Sequence, residues 1–172
     1  MRTGHGSAGR ARRRIRVAAH LARRLLTLPL PELWRLVVAQ WEIIRVQWMA
    51  RTKPTGALVA FGQLSDRYDA PEPPPEVATQ WARAVARASQ YGLVRPLCLV
   101  RSLALHSLLV RAGVRGSRVR VGVRCVGEDF AAHAWVELNG TVLADEPAYV
   151  RQYAPLTDAT IVGAVSATKP TQ

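Results

Sequence analysis

The sequence predicts an α+β fold in which one buried helix packs against a small antiparallel sheet, behind a helical N-terminal extension. The helix is predicted at residues 97–112, because that segment is apolar on nearly every side. Strands are predicted at residues 117–125, which alternate with a period of two, and at residues 130–138. Asn139-Gly140 is a strong hairpin signal, which predicts a third strand at residues 141–145.

The composition is that of a single globular domain. A chain of 172 residues can bury a core without disulfides or a metal, and a hydrophobic fraction of 49% argues against wholesale disorder. The formal net charge of +12 would suit a nucleic acid, an anionic membrane surface or an acidic protein. All basic residues except Lys53 and Lys169 are arginines, however, a bias that coding composition produces as readily as recognition does. We therefore predict no nucleic-acid partner.

The cytoplasm is the predicted compartment. No uninterrupted apolar run reaches the roughly 18 residues that a membrane span requires. The best N-terminal stretch, residues 15–30, is broken by three arginines and lacks the cleavage site of a signal peptide. The two cysteines, Cys98 and Cys125, make no disulfide framework.

Composition also divides the chain into segments. The prolines of residues 70–76 exclude both helix and central strand, so we expect an extended linker there. The predicted segments are a disordered Arg-rich tail at residues 1–14, a helical extension at 15–70, a main domain at 71–155 and a C-terminal tail at 156–172.

The extension carries a predicted helix at residues 31–51 with a wide apolar stripe. Trp34, Trp41 and Trp48 recur on this helix at a spacing of seven residues. Such tryptophans are more often core than interface, which favours a brace that packs on the main domain. Because the helix lies outside that domain, the three tryptophans are also a candidate partner-binding surface.

Cys98 is the candidate nucleophile. It lies in the first turn of the predicted buried helix, two residues after Pro96, where the helix dipole and unpaired N–H groups favour a thiolate. The positive charge of Arg101 would also favour the thiolate if its side chain is directed at Cys98. Free cysteine is also a common core residue, so the position of this thiol, rather than its type, makes it a candidate.

His133 and Asp145 are the candidate base and orienting acid. His133 lies within a predicted strand, with Trp135 on the same face, and Asp145 follows on the next strand. A strict two-residue turn would place Asp145 on the other face and set His133 opposite Glu146. A three-residue or bulged turn would place His133 and Asp145 on one face. We therefore expect a bulged turn with Asp145 as the acid, and Glu146 is the alternative.

The segments RPLCLVRSLAL, AAHAWVELNG and LADEP resemble the transglutaminase-like, papain-type cysteine peptidases that remove leader peptides in lasso-peptide biosynthesis. The resemblance covers residues 76–147 and is most specific at residues 98–105 and 132–137. It implies a papain/transglutaminase-like fold for the main domain, with Cys98 as nucleophile, His133 as base and Asp145 completing the triad.

The same resemblance implies partners. We expect a lasso precursor peptide as substrate, a separate small protein that recognises its leader, and a cyclase that closes the freed core peptide. The cleavage step needs no cofactor and no metal. Arg101 and Trp135, each near a triad residue in sequence, are expected to line the substrate and oxyanion region.

The sequence leaves two other functions open and argues against a zinc site. An acyltransferase of the same fold would use the same triad and differ only in the acceptor of the acyl group. A non-catalytic peptide-binding module would keep its function without Cys98. A zinc site is not expected, because the spacings of the candidate ligands match no metal-binding pattern; these ligands are Cys98, Cys125, His106 and His133.

Overall fold

The computed structural model describes residues 29–52, 73–126 and 129–156. The chain divides into a short unit, Met1–Arg35, and a main unit, Leu36–Gln172. Of the short unit, only residues 29–35 are described. The tail predicted at residues 1–14, and all of the predicted C-terminal tail except Leu156, lie outside the described residues.

Within the described residues, the predicted helices and strands occur in the predicted order, together with a short helix at residues 147–150 and a strand at residues 154–155 that were not predicted. The elements are α1 Leu30–Thr52, α2 Pro75–Tyr91, α3 Cys98–Arg111, β1 Ser117–Val126, β2 Asp129–Leu138, β3 Thr141–Leu143, α4 Pro147–Val150 and β4 Ala154–Pro155. The α+β class is therefore confirmed. The proline linker ends earlier than expected, because Pro75 is the first residue of α2, where a missing N–H costs nothing.

The strands form one antiparallel sheet in the order β3-β2-β1-β4. No sequence pattern predicts β4, which pairs with β1 through only two residues. Gly122 of β1 permits this pairing. A Cβ on Gly122 would lie 2.9 Å from the carbonyl oxygen of Ala154 and 2.8 Å from the ring of Trp135, so only glycine fits there.

The turn between β2 and β3 is a strict two-residue hairpin. Leu138 pairs with Thr141, and Asn139 and Gly140 have φ angles of 49° and 81°, as a type I′ turn requires. The expected bulge is absent. β3 also ends at Leu143, two residues earlier than predicted.

A single apolar core packs the helices against one face of the sheet. Its fully buried members include Ala39, Ile43 and Val46 of α1, Val85 of α2, Leu105 and Leu109 of α3, and Val136 of β2. The part of α1 in the main unit therefore shares the core of α2 and α3. Along β2, alternate side chains face the opposite side of the sheet, where Trp135 packs with Val150 and Tyr153.

A buried carboxylate ties α1 to α3. The side chain of Glu42 is 1% exposed. It accepts two hydrogen bonds from Arg45, at 2.5 and 2.9 Å, and forms an ion pair with Arg111. Burial acts to raise the pKa of Glu42, but hydrogen bonds from Arg45, Arg111 and Ser107 outweigh burial and lower it.

We expect Glu42→Gln to reduce the free energy of unfolding by about 1–3 kcal/mol at pH 7. Because the pKa of Glu42 is lower in the folded chain than its ordinary 4.5, the folded state binds fewer protons and the stabilisation is lost as pH falls below 4.5. Urea unfolding should therefore show that the difference in the free energy of unfolding between wild type and variant becomes smaller at acid pH. Glu76→Gln, at an exposed first-turn position, is the control and should cost under about 1 kcal/mol. A difference in the free energy of unfolding that does not change with pH would contradict this role for Glu42.

Candidate active site

His133 and Asp145 are in direct contact. His133 lies in the middle of β2 with 9% of its surface exposed, and its Nε2 is 2.8 Å from Oδ2 of Asp145. An ionised carboxylate only accepts hydrogen bonds, so Nε2 carries the proton and donates it. The other ring nitrogen, Nδ1, then holds the lone pair and can act as a base.

Asp145 contacts His133 although the expected bulged turn is absent. The strict hairpin register would send Asp145 to the other face if β3 continued. Instead β3 ends at Leu143, and Ala144 takes a φ of 58°. This left-handed residue turns the chain and brings Asp145 back toward His133. Such a conformation is strained for a residue with a Cβ and is often found at functional sites.

The structure distinguishes between the two candidate acids. Asp145 accepts the hydrogen bond from His133, whereas Glu146 has an exposed side chain. Glu146 contributes its backbone N–H, which donates to Oδ1 of Asp145 at 3.1 Å. Of the two, Asp145 is therefore the residue placed to orient the imidazole.

Arg101 also binds the carboxylate of Asp145. Its Nη2 lies 2.5 Å from Oδ2, the same oxygen that accepts from His133. Arg101 is in the first turn of α3, three residues after Cys98. The guanidinium thus faces Asp145, whereas the sequence predicted Arg101 to support the thiolate and to line the substrate and oxyanion region.

Cys98 is the first residue of α3, as predicted, and is half-buried. The preceding residue, Leu97, makes no side-chain cap, and its carbonyl accepts the N–H of Arg101 at 3.0 Å. The N–H groups of a first turn have no acceptor within the helix. The backbone at Cys98 can therefore donate a hydrogen bond to an oxyanion that forms on a bound carbonyl.

Tyr153 lies beside His133 and hydrogen-bonds with Tyr149. The hydrogen bond with Tyr149 is the main cause that raises the pKa of Tyr153, followed by burial and the charge of Tyr149. The negative charge of Cys98 raises it further, while Arg124 lowers it. The ring of Tyr153 is centred 5.2 Å from that of His133. The buried phenol of Tyr153 therefore packs directly against the imidazole.

Tyr149 and Tyr153 form a further part of the site that was not predicted from the sequence. Tyr149 and Tyr153 share a hydrogen bond of 2.8 Å between their hydroxyls, and both rings lie within 5.2 Å of the His133 ring. The signal available in the sequence was two tyrosines spaced by four residues directly after the acid. Both rings therefore pack against the imidazole.

Trp135 supports the imidazole from another side. Its ring is nearly parallel to that of His133, with centres 6.3 Å apart, and it is 3% exposed. The indole N–H donates to Glu137 at 2.8 Å, and Glu137 in turn pairs with Arg120 at 3.2 Å. The N–H of Trp135 is therefore held by a carboxylate rather than directed at an oxyanion.

The other sequence candidates differ in their exposure and contacts. Trp34 in the short unit is 66% exposed, and Trp41 and Trp48 in the main unit are 66% and 63% exposed. Of the remaining residues considered for zinc, His106 is buried with Nδ1 3.0 Å from Ser117 Oγ, and Cys125 is exposed. The described residues contain no group of three or more side chains suited to a metal ion.

A membrane span is likewise not found. Within residues 29–52, 73–126 and 129–156, no helix is both long and apolar enough to cross a membrane. The two cysteines, both in this part of the chain, are free thiols.

Comparison with known proteins places the chain in a family. The model of the transglutaminase-like superfamily matches residues 34–158, which is more than half of the chain. The match begins within α1 and includes all of the cluster around His133. No curated protein and no solved structure matches.

Proposed function

Because the chain belongs to the transglutaminase-like superfamily, we propose that it is a cysteine peptidase that removes the leader from a ribosomally made lasso-peptide precursor. Membership indicates a function of the cysteine-protease or acyltransferase type. The observation that carries the thioester chemistry is the 2.8 Å hydrogen bond between His133 and Asp145, next to a helix that begins at Cys98. This observation supports the proposal, because hydrolysis through a thioester requires a base, an acid that orients the base and a nucleophile. The choice of hydrolysis over acyl transfer rests on the resemblance of residues 98–105 and 132–137 to the leader peptidases.

The proposed reaction uses only side chains and water. The sulfur of Cys98 attacks the carbonyl carbon at the junction of leader and core, while Nδ1 of His133 takes the thiol proton. The imidazolium gives that proton to the nitrogen of the leaving amine, and the peptide bond breaks. The acyl group remains on Cys98 as a thioester, which water hydrolyses with His133 again as base. Asp145 keeps the imidazole in the required tautomer throughout.

The test is a reconstitution read by mass spectrometry. The protein is mixed with the precursor and the leader-binding protein encoded by neighbouring genes, in the presence and absence of an added primary amine. Hydrolysis predicts two fragments whose masses sum to that of the precursor plus one water. An acyltransferase would instead give a fragment that carries the amine. Cys98→Ala, which should give neither product, is the control, and an intact precursor in the complete mixture would contradict the proposal.

The compartment and the later partners follow from this role. Free cysteines are expected in a reducing compartment, so we place the reaction in the cytoplasm. The freed core peptide would pass to a lasso cyclase. The leader would be presented by the small recognition protein.

We propose that this recognition protein binds the exposed face of α1 within the main unit; a contribution of Trp34, in the short unit, stays a prediction. In the main unit that face consists of Val37, Trp41 and Trp48, which are 56%, 66% and 63% exposed. The opposite face of the same helix packs into the core through Ala39, Ile43 and Val46. Exposed tryptophans in one patch are typical of protein interfaces.

Trp41→Glu combined with Trp48→Glu should weaken binding of the leader-recognition protein by about 10²-fold or more, with little change in thermal unfolding. Calorimetric titration measures the affinity. Deleting residues 1–70 is a poorer test, because it removes Ala39, Ile43 and Val46 from the core. Arg51→Glu, at an exposed position of the same helix, is the matched control for added charge. Unchanged affinity in the double variant would contradict the docking proposal and would favour the alternative that α1 only packs on the main domain.

A further inference from the structure

We infer that Arg101 is a positioning residue, whose guanidinium holds Asp145 against His133 and ties the helix of the nucleophile to the acid. The inference rests on the proposed function, since it assumes that Cys98 is activated by His133. It assigns Arg101 a contact with the acid rather than with the substrate or an oxyanion.

The carboxylate of Asp145 is held by three donors. His133 Nε2 and Arg101 Nη2 approach Oδ2 at 2.8 and 2.5 Å, and the backbone N–H of Glu146 approaches Oδ1 at 3.1 Å. The side chains of Asp145 and Arg101 are 13% and 26% exposed, so water screens this ion pair only in part. Three donors from separate parts of the chain fix both the position and the rotation of the carboxylate.

Asp145 needs such support because the sheet does not supply it. β3 ends at Leu143, and the left-handed Ala144 separates Asp145 from the strand. No β-ladder hydrogen bond therefore fixes the backbone of Asp145. Its placement relies on side-chain contacts, and Arg101 is the charged one among them.

Arg101 also has the right location to couple the triad. It follows Cys98 by three residues, which places both side chains on neighbouring positions of one helix face. The next residue, Ser102, donates its hydroxyl to the carbonyl of Ala134 at 3.0 Å, beside His133 in β2. These two contacts fix α3 against β2 and against the Asp145 loop, and so set where the thiol stands relative to the imidazole.

The test measures the reactivity of Cys98 without any substrate. In a Cys125→Ser background, which removes the second free thiol, the rate of alkylation by iodoacetamide is followed by the mass of the peptide that contains Cys98. Arg101→Met should slow this rate roughly 10- to 100-fold, because the acid no longer holds His133 in place. Arg101→Lys keeps the charge and should recover the rate to within about fivefold of wild type.

A double-mutant cycle tests whether Arg101 acts through Asp145. If it does, Arg101→Met combined with Asp145→Ala should alkylate no more slowly than Asp145→Ala alone. Arg111→Met is the matched control: it removes an arginine–carboxylate pair from the far end of the same helix. That variant should lose thermal stability and keep the alkylation rate.

The outcomes are distinguishable. Additive effects of Arg101→Met and Asp145→Ala, or a lysine variant as slow as the methionine variant, would overturn the positioning role. A wild-type Cys98 that reacts no faster than a free cysteine in a peptide would instead overturn its assignment as an activated nucleophile, and with it the proposed function.

Discussion

Replacing Cys98 by alanine should lower precursor cleavage by about 10⁴-fold or more, because no other group at the site can form the thioester. The half-buried thiol makes little contribution to the core, so thermal unfolding should change little. The measurement is the initial rate of leader release, read by mass spectrometry. A loss this large separates an enzyme from a module that only binds the peptide.

Cys125 offers the matched control for this prediction. It is the other free thiol, near the end of β1, and it is exposed. Cys125→Ala should keep the rate to within about twofold. A Cys98→Ala protein that still cleaved at a tenth of the wild-type rate would rule out the thioester mechanism.

Asp145→Ala should lower cleavage by about 10² to 10⁴-fold, whereas Glu146→Ala should change it by less than about threefold. The difference follows from the contacts, because Asp145 holds Nε2 of His133 at 2.8 Å and Glu146 contributes only a backbone N–H that alanine retains. Steady-state kinetics should show the loss in kcat with KM nearly unchanged.

The pair of variants also tests how the chain delivers the acid. Equal losses in the two variants, or a greater loss for Glu146→Ala, would contradict the assignment of Asp145. The two side chains are neighbours in sequence and carry the same charge, so a general electrostatic effect cannot produce the predicted difference.

The sequence was sufficient to predict the elements that carry Cys98 and His133. A nearly all-apolar segment of this length predicts a buried helix, and α3 begins at Cys98. The alternating pattern and Asn139-Gly140 were sufficient for β1, β2 and their hairpin partner. Local periodicity determines these features, so one sequence reveals them.

The position of Asp145 could not be derived in the same way. Sheet register alone predicts the wrong face, and the correction depends on the φ of 58° at Ala144. Alanine gives no warning of a left-handed conformation, unlike glycine or asparagine. The expectation of a bulged turn was therefore wrong, while the contact between Asp145 and His133 is present by another route.

Contacts between segments that are far apart in the sequence could not be predicted either. The hydrogen bond of Arg101 to Asp145 joins residues 44 positions apart, and no pattern within α3 indicates it. The helix α1 has apolar residues on two opposite faces, so its periodicity could not show which face is buried. The structure assigns Ile43 to the core and leaves Trp41 and Trp48 exposed.

The most direct test of the central claim, that Cys98 is a nucleophile served by His133, is to trap the acyl-enzyme. The protein is mixed with precursor and leader-recognition protein, quenched in acid within the first turnover, and mapped by peptide mass spectrometry. We predict a thioester adduct on the peptide that contains Cys98, and none in a His133→Ala variant. Product formation without an adduct at Cys98, or with an adduct at Cys125, would contradict the account.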